Sequence, residues 1–240
     1  MERVALISGG SAGIGLAIAK QLASVPKTTV IISARKPEAL ESARKEIVEA
    51  TSNQRIFAFP CNFSRNDEIE KLVGLIKEKF GRVDVLVNNV ASSLHFGPTI
   101  ETEVSKVDKM FQVNFRSHFY TTQLVLPLMP KNANSSILFI ASYVGIKPDT
   151  TIGIYSATKA ALVHLTKILA EELLDSKIRV NCICPGLIKT QFSQVLWENG
   201  NAPLPIGSPE EVANVASFLA SEKASFVTGA IVTVTGMPLL

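Results

Sequence analysis

The sequence predicts a single α/β domain built on a doubly wound, seven-stranded parallel sheet with helices on both faces. Seven short β-branched runs alternate with six amphipathic stretches, and most of the runs are apolar almost without interruption. Such runs are typical of parallel strands, because these strands are buried on both faces. Six crossovers between seven strands favour the doubly wound arrangement. The 240 residues suffice for one domain, which we assign to residues 1–240.

The predicted elements follow one another in regular order along the chain. The strands are predicted over residues 4–8, 29–34, 55–59, 83–87, 136–141, 179–183 and 230–234. The helices are predicted over residues 13–23, 37–51, 66–80, 103–128, 154–174 and 209–220. The least regular stretch, 191–208, reads as a loop, and loops of this kind often cover a ligand.

Composition argues against several classes of protein. The formal charge is +3 and the basic residues are scattered, so nucleic-acid binding is not predicted. No apolar run approaches the roughly 20 residues that a membrane span requires. Three cysteines, Cys61, Cys182 and Cys184, suit a reducing compartment better than a disulfide scaffold, and no metal site is expected from them. No charged-then-apolar leader precedes the first strand, so we expect a cytoplasmic location.

A glycine-rich turn follows the first predicted strand. Its sequence from residue 8 to residue 15 is Ser-Gly-Gly-Ser-Ala-Gly-Ile-Gly, a G-x-x-x-G-x-G pattern that opens the first helix. Glycine permits a tight turn and a close backbone approach, and a helix N-terminus offers free N–H groups to a pyrophosphate. The context predicts dinucleotide binding in a Rossmann fold. The alternative is a glycine turn between well-packed elements.

The end of the second strand favours NADP(H) over NAD(H). Domains that prefer NAD place a carboxylate near this point to hold the ribose 2′-hydroxyl. Here Ala34 is followed by Arg35 and Lys36, which remove repulsion against a 2′-phosphate and supply donors to it. Ser11 in the glycine turn adds another donor. The alternative is that both cations only begin the next helix in solvent.

Ser142, Tyr155 and Lys159 are the candidate proton-transfer residues. Tyr155 and Lys159 lie four apart on a predicted helix and therefore share one face. A phenol has a pKa of about 10, and a nearby ammonium lowers it towards neutrality. Ser142 follows a predicted strand, where its hydroxyl would bond the same substrate oxygen. Alone, the spacing is weak evidence and favours an ordinary helix pair with no chemistry.

Together these motifs resemble the short-chain dehydrogenase/reductase family over essentially the whole chain. The order of the glycine turn, Asn88-Asn89-Val90-Ala91, Asn114, the Ser–Tyr–Lys set and Pro185-Gly186 carries the resemblance. It implies that Tyr155 donates the proton in reduction and that Lys159 lowers its pKa and binds the nicotinamide ribose. Ser142 would orient the substrate carbonyl, and Asn114 would hold a water that links Lys159 to a proton relay.

The resemblance also implies a set of residues beside the cofactor, and Asn88 is expected to brace the strands rather than to touch ligand. The cofactor set is Gly9, Ser11, Gly13, Ile14, Gly15, Arg35, Lys36, Asn62, Asn89, Ala91, Tyr155, Lys159, Pro185, Gly186, Ile188 and Thr190.

Several positions depart from the family pattern. Ser8 replaces the usual Thr, Asn62 stands where an Asp often contacts adenine, and Ala91 replaces a common Gly. The 191–208 loop is about ten residues shorter than in relatives of this kind. Val234-Thr-Gly-Met-Pro replaces the usual Asp-Gly-Gly near the C-terminus.

Residues 185–197 look most like the NADP-dependent carbonyl/retinal reductase branch found in peroxisomes. That branch ends in a small–basic–Leu targeting tripeptide, whereas this chain ends Pro-Leu-Leu. The resemblance implies an NADP(H)-dependent oxidoreductase that uses no metal and interconverts a lipophilic ketone or aldehyde with its alcohol. The apolar pocket is expected to be lined by Leu94, His95, Phe96, Val144, Ile146, Ile188, Phe192 and Trp197.

Two other functions remain open at this point: a 3-oxoacyl-thioester reductase, and a catalytically silent NADP-binding module. The expected partners are a small carbonyl or alcohol substrate and further copies of the chain in a homotetramer or homodimer. His95, His118 and His164 match no motif position. For His118 and His164 we expect surface or interface roles, since both lie on helices that pack between subunits in the family.

Overall fold

The structure is a computed structural model that describes residues 2–132, 134–198 and 205–237. Seven strands form one sheet in which every neighbouring pair is parallel. The strands are β1 (Arg3–Ser8), β2 (Thr28–Ala34), β3 (Ile56–Pro60), β4 (Val85–Asn88), β5 (Ser136–Ile140), β6 (Arg179–Pro185) and β7 (Ile231–Val234). Each lies within two residues of its predicted bounds.

The strand order is β3-β2-β1-β4-β5-β6-β7. The chain therefore runs outward from β1 through β2 to β3, returns to β4 on the other side of β1, and continues to β7. The order reverses between β1 and β4, and in doubly wound sheets ligands bind beside this switch point at the carboxyl ends of the strands. The predicted fold class is confirmed.

Helices cover both faces of the sheet. The longer ones are α1 (Gly13–Ala23), α2 (Pro37–Thr51), α3 (Asn66–Phe80), α4 (Val104–Phe111), α5 (Ser117–Val125), α6 (Gly153–Glu172) and α8 (Pro209–Ala220). A single turn, α7 (Gln194–Trp197), lies within the predicted loop 191–208. Residues 199–204 of that loop and residues 238–240 at the C-terminus lie outside the described ranges.

The predicted continuous helix 103–128 is wrong in detail. α4 ends at Phe111, a π-helical turn covers Gln112–Arg116, and α5 follows as far as Val125. A π-turn inserts extra residues into the helix, so the face that points inward changes along it. Leu126–Leu128 forms a 3₁₀ turn that contains Pro127, whose missing N–H ends regular helix.

Two apolar layers hold the helices to the sheet. One packs α3, α5 and α6 against one face around Leu6, Phe139 and Leu162. The other packs α1, α2 and α8 against the opposite face around Ile18 and Ile32. Because side chains alternate along a strand, each central strand contributes to both layers, which is why its sequence is mostly apolar.

Within the described ranges, no helix is both long and apolar enough to cross a membrane. The same part of the chain contains no group of three or more His, Cys, Asp or Glu placed to hold a metal ion.

Candidate active site

The glycine turn after β1 is shaped by close backbone contact. Gly9 and Gly13 have φ angles of 67° and 53°, in the left-handed region that favours glycine. A Cβ on Gly15 would lie 2.2 Å from the carbonyl oxygen of Gly9, so no larger residue fits there without moving the turn. The Gly9 N–H donates to the Ser33 carbonyl at 2.7 Å, which fixes the turn against β2.

The first turn of α1 is suited to an anion. No side chain caps the helix at Ala12, and no acidic residue lies in its first turn. Its N-terminal N–H groups therefore remain available, and the helix dipole favours negative charge at this end. Ser11 and Ile14 are partly buried beside it. This donor set fits the pyrophosphate of a dinucleotide.

Asn89 ties the end of β4 to the glycine turn. Its side-chain amide donates to the carbonyls of Ser8 and Gly9 at 3.2 and 3.1 Å, and its backbone N–H donates to the Ser8 hydroxyl at 3.0 Å. The hydroxyl that Ser8 retains in place of the usual Thr is thus used. Ala91 is partly buried just beyond Asn89. Asn89 therefore fixes the position of the glycine turn that borders the predicted cofactor cleft.

Two cations stand at the carboxyl end of β2. The side chains of Arg35 and Lys36 are exposed, and neither side chain forms a hydrogen bond or ion pair with another residue in the described part of the chain. Asn62, which follows β3, is partly buried, and its side-chain carbonyl accepts from the backbone N–H and hydroxyl of Ser64. The Asn62 side chain thus has its amide N–H groups left to offer a ligand.

Pro185 and Gly186 lie at the end of β6, close to the next strand. The Gly186 N–H donates to the Val234 carbonyl at 2.9 Å. A Cβ on Gly186 would lie 3.1 Å from the Cα of Thr235. The segment that replaces the family's Asp-Gly-Gly therefore supports the predicted nicotinamide side of the cleft.

Ser142, Tyr155 and Lys159 meet below the carboxyl ends of β5 and β6. Ser142 caps the 3₁₀ turn Tyr143–Gly145, and its hydroxyl is hydrogen-bonded to that of Tyr155. The Lys159 Nζ lies 5.6 Å from the Tyr155 ring centroid and donates to the Ile140 carbonyl at 2.9 Å. Tyr155 is 8% exposed and Lys159 1% exposed. The structure thus brings the predicted trio together.

Burial sets the acidity of both groups. It raises the pKa of the Tyr155 hydroxyl above its usual value, while the hydrogen bond with Ser142 acts in the opposite direction. The pKa of Tyr155 is therefore raised on balance, and the lowering that the resemblance assigns to Lys159 stays a prediction. Burial also lowers the pKa of Lys159 to about 8, against a smaller opposing effect of Cys182 and Cys184.

Asn114 lies on the π-turn and is fully buried. Its side-chain carbonyl accepts from the Ser92 N–H at 2.8 Å, and its amide donates to the Ser92 carbonyl at 2.9 Å and to the Thr158 hydroxyl at 3.0 Å. Thr158 directly precedes Lys159. The Asn114 side chain thus joins the segment after β4 to α6.

Two buried thiols lie beside the trio and were not predicted to do so. The sulfur atoms of Cys182 and Cys184 are 3.8 Å apart on one face of β6. Hydrogen bonds from Cys182 and from the Ser142 N–H lower the pKa of the Cys184 thiol. The sequence signal was their strand spacing, but it carried no information that β6 would lie under Tyr155.

The loop after β6 covers the site from outside. Phe192 is 55% exposed, with its ring centroid 6.0 Å from that of Tyr155. The Trp197 Nε1 donates to the Thr190 carbonyl and the Ser193 hydroxyl, both at 3.2 Å. A Cβ on Gly13 would lie 3.1 Å from the Thr190 Cγ2, so this segment also borders the glycine turn.

Of the other predicted pocket residues, Leu94, Phe96 and Ile146 are exposed apolar side chains. Ile188 is buried and packs in the core layer that faces α8, so its expected place in the pocket lining is a correction. Its backbone is held by a bridge to Gly207 instead.

His118 is not at the surface or in an interface, contrary to the expectation. It is 1% exposed, and burial together with the charge of Lys159 lowers its pKa to about 3. His118 lies four residues after the buried Asn114 on a helix face that is mainly polar, so hydrophobic periodicity does not reveal its burial. His164 is exposed on α6.

The fold and the site together define a class: an α/β oxidoreductase that binds a dinucleotide above a buried Ser–Tyr–Lys set. The profile of the short chain dehydrogenase family matches residues 3–201. Dehydrogenase/reductase SDR family member 4 from Sus scrofa is 38% identical over 244 residues, which cover 98% of this chain and 86% of the relative.

Solved structures of reductases are also similar to this chain. The NADPH dependent reductase YwfH, involved in bacilysin biosynthesis, superposes with a TM-score of 0.92 at 26% identity over the full length of both chains. The 3-ketoacyl-(acyl-carrier-protein) reductase from Brucella melitensis, complexed with NADH, gives 0.89 at 29% identity over 98% and 97% of the two chains.

The chain belongs to the short-chain dehydrogenase/reductase family. The predicted family is thereby confirmed. It is an oxidoreductase of that family, acting between CH–OH and C=O groups with a nicotinamide cofactor.

Proposed function

We propose that the chain uses NADP(H) to interconvert a lipophilic ketone or aldehyde and its alcohol. One observation carries the proposal: a buried tyrosine, hydrogen-bonded to Ser142 and beside Lys159, lies beneath the exposed ring of Phe192. The proton donor and an apolar surface for substrate therefore stand next to each other.

The bound nicotinamide supplies hydride chemistry, and the chain supplies proton delivery and placement. Tyr155 delivers its proton to the substrate oxygen as charge develops there, while Ser142 donates a hydrogen bond to the same oxygen. The Lys159 ammonium stabilises the phenolate that remains and binds the ribose. The backbone of Asn114 holds the water that returns a proton towards Lys159.

The preference for the phosphorylated cofactor rests on charge. Arg35 and Lys36 are exposed without protein partners in the described ranges, so they are free to bind a 2′-phosphate. Ala34 replaces the carboxylate that would hold a ribose 2′-hydroxyl. The similar structures include both an NADPH dependent reductase and an NADH complex, so the preference needs a direct test.

The substrate class rests on the surface around Tyr155. Phe192, Leu94, Phe96 and Ile146 expose between 38% and 55% of their area. An apolar carbonyl compound that covers these side chains gains hydrophobic free energy, about 25 cal/mol for each Å² removed from water. We also propose a homotetramer or homodimer, because Phe111, Phe119 and Ile168 expose apolar area elsewhere on the helices. Light scattering of the purified chain measures that state.

Tyr155→Phe tests the proton donor. We expect kcat for carbonyl reduction to fall about 100- to 10,000-fold, the contribution typical of a positioned general acid. NADPH binding, followed by fluorescence titration, stays within about twofold because the ring is kept. The matched control is Tyr143→Phe, a buried tyrosine in the adjoining turn, which retains activity.

The substrates for this test are aromatic ketones, aldehydes, retinoids and 3-oxoacyl thioesters. Faster turnover of 3-oxoacyl thioesters than of lipophilic ketones would replace the proposal with fatty-acid chemistry. Unchanged activity in Tyr155→Phe would overturn the assigned mechanism. NADPH binding without turnover of any carbonyl would indicate a silent binding module.

A further inference from the structure

His118 is a buried polar residue to which the reaction described above gives no task. It lies on α5, directly after the π-turn that carries Asn114. Its Nε2 is 2.8 Å from the carbonyl oxygen of Val90, and its ring stacks on Phe139 at 6.3 Å with an interplanar angle of 21°. The ring is therefore held in one orientation between the segment after β4 and strand β5.

These contacts decide the tautomer. A carbonyl oxygen only accepts, so the proton of the neutral ring must lie on Nε2, and Nδ1 is left with a bare lone pair. Nδ1 is buried and has no hydrogen-bond partner among the residues that the structure describes. An unsatisfied buried acceptor costs about 1–3 kcal/mol, so a donor is needed at this nitrogen.

Two more unpartnered atoms lie in the same layer. Asn88 donates its amide to the Thr122 hydroxyl at 3.0 Å, which leaves its Oδ1 without a partner in the described ranges. Asn88 also pairs with Phe139, on which His118 stacks. The buried hydroxyl of Thr121, three residues after His118, is unpartnered too. His118 and Thr121 are buried three residues apart on one face of α5, while Asn88 and Phe139 are paired on β4 and β5.

Lys159 has donors to spare for these atoms. An ammonium carries three N–H groups, and the Ile140 carbonyl accepts one of them at 2.9 Å. Lys159 and His118 also contact consecutive residues of β5, because Lys159 bonds the Ile140 carbonyl and the His118 ring stacks on Phe139. A water satisfies every member: it donates to the His118 Nδ1 and the Asn88 Oδ1, and accepts from Lys159 and Thr121.

We propose that His118 is a positioning residue, whose Nδ1 holds with Asn88 a buried water that accepts a hydrogen bond from the Lys159 ammonium. The water stabilises the charged form of Lys159, on which the proposed mechanism depends. The groups that face Lys159 are Tyr155 on its own helix, Cys182 and Cys184 on β6, and His118 on α5.

Two amide variants separate the two nitrogens of His118. In His118→Asn the side-chain oxygen takes the place of Nδ1 and retains the acceptor. In His118→Gln the amide nitrogen takes the place of Nε2 and retains the donor to Val90, but the acceptor is lost. A merely structural role through Val90 predicts that Gln is tolerated and Asn is not, the reverse of our proposal.

We expect His118→Gln to move the high-pH limb of kcat for carbonyl reduction down by about one pH unit, since the ammonium loses a hydrogen bond. A shift of that size from pKa 8 reduces the charged fraction at pH 8 from half to about a tenth, so kcat there falls about fivefold. In His118→Asn we expect the high-pH limb of kcat to stay where it is in the unmodified chain.

The pH dependence of the unfolding free energy reports the pKa of Lys159 and needs no catalysis. The unfolding free energy of the unmodified chain rises above about pH 8 as Lys159 loses its charge, and in His118→Gln the rise begins about one unit lower. This distinguishes failure of the inference from failure of the proposed function, because it needs no turnover. Equal behaviour of Asn and Gln, or an unmoved rise in Gln, overturns the role of Nδ1.

A crystal structure of the unmodified chain that shows ordered water is the second measurement, and it needs no variant to fold. Density for a water about 3 Å from the His118 Nδ1 and the Lys159 Nζ supports the proposal. A direct protein donor at Nδ1, or an empty space there, contradicts it.

Discussion

The two halves of the carboxyl edge of the sheet are built on different principles. The cofactor half, after β1 and β2, consists of backbone N–H groups, a glycine turn and the exposed cations Arg35 and Lys36. The catalytic half, after β4, β5 and β6, consists of buried side chains whose pKa values burial shifts, Tyr155 upward and Lys159 downward. The proposed cofactor binding thus rests largely on groups open to solvent, and the proposed proton transfer rests on groups removed from it.

This difference lowers the free energy of unfolding through the catalytic half only. A buried ammonium is expensive unless it is well partnered, whereas a glycine turn at a helix N-terminus carries little such penalty. Substitutions in the catalytic half should therefore separate activity from stability, and substitutions in the cofactor half should change binding.

Among the substitutions that compare the two halves, Lys159→Met is expected to have the largest effect. We predict a loss of at least about 100-fold in kcat, together with greater stability at neutral pH. The pKa of Lys159 falls from 10.5 to about 8 on folding, a penalty of about 3 kcal/mol below pH 8. The penalty fades as the pH rises towards 10.5. Urea unfolding at pH 7 and pH 10 measures it.

The control for this variant is Lys167→Met, an exposed lysine on the same helix. It should leave both activity and the pH dependence of stability unchanged. A Lys159→Met chain that is less stable than the unmodified chain at pH 7 would show that the Ile140 contact outweighs the burial penalty.

Gly15→Ala probes the cofactor half. The new Cβ would meet the Gly9 carbonyl at 2.2 Å, so the turn must move. We expect NADPH to bind about 100-fold or more weakly, since overpacking against backbone costs about 3 kcal/mol or more. Gly74→Ala on α3 is the matched control, because nothing lies within 4 Å of its new Cβ. Fluorescence titration of NADPH compares the two, and equal affinities would mean that the turn adapts.

Arg35→Ala tests the cofactor preference within the same half. Loss of a charge-assisted hydrogen bond to a phosphate should raise the KM for NADPH about 10- to 100-fold. The KM for NADH should change little. Lys45→Ala removes the same charge from an exposed position on α2 and serves as control. Equal effects on the two cofactors refute the 2′-phosphate assignment.

Phe192→Ala is expected to have the smallest effect, at the boundary of the catalytic half. Loss of one aromatic contact should raise the KM for an aromatic ketone about three- to tenfold, with kcat less affected. A small aliphatic aldehyde is the control substrate, since it covers less of the ring. A change in kcat for both substrates would show instead that Phe192 positions Tyr155.

Sequence reasoning succeeded where the signal is local. Mostly apolar runs located all seven strands to within two residues, because burial on both faces leaves few polar positions in a parallel strand. The glycine pattern placed the turn, because only glycine permits the backbone contact at Gly15. The four-residue spacing of Tyr155 and Lys159 placed both on the inward face of α6.

Sequence patterns did not predict features that depend on packing between distant segments of the chain. The π-turn at Gln112–Arg116 interrupts a stretch whose sequence predicts one regular helix. His118 lies four residues after the buried Asn114 on a face that is mainly polar, so its burial gives no apolar signal. Ile188 is apolar like the pocket residues, but its strand-to-loop position directs it into the core. Neither result leaves a mark on hydrophobic periodicity.

The sequence by itself therefore determined the sheet, the cofactor turn and the identity of the Ser–Tyr–Lys set, since each depends on spacing within a short segment. Only the tertiary structure decided the acidity of Tyr155 and Lys159, the approach of Cys184 and Phe192 to the site, and the burial of His118. The physical reason is that desolvation and electrostatic coupling depend on which remote elements close around a group, and residue order does not specify that locally.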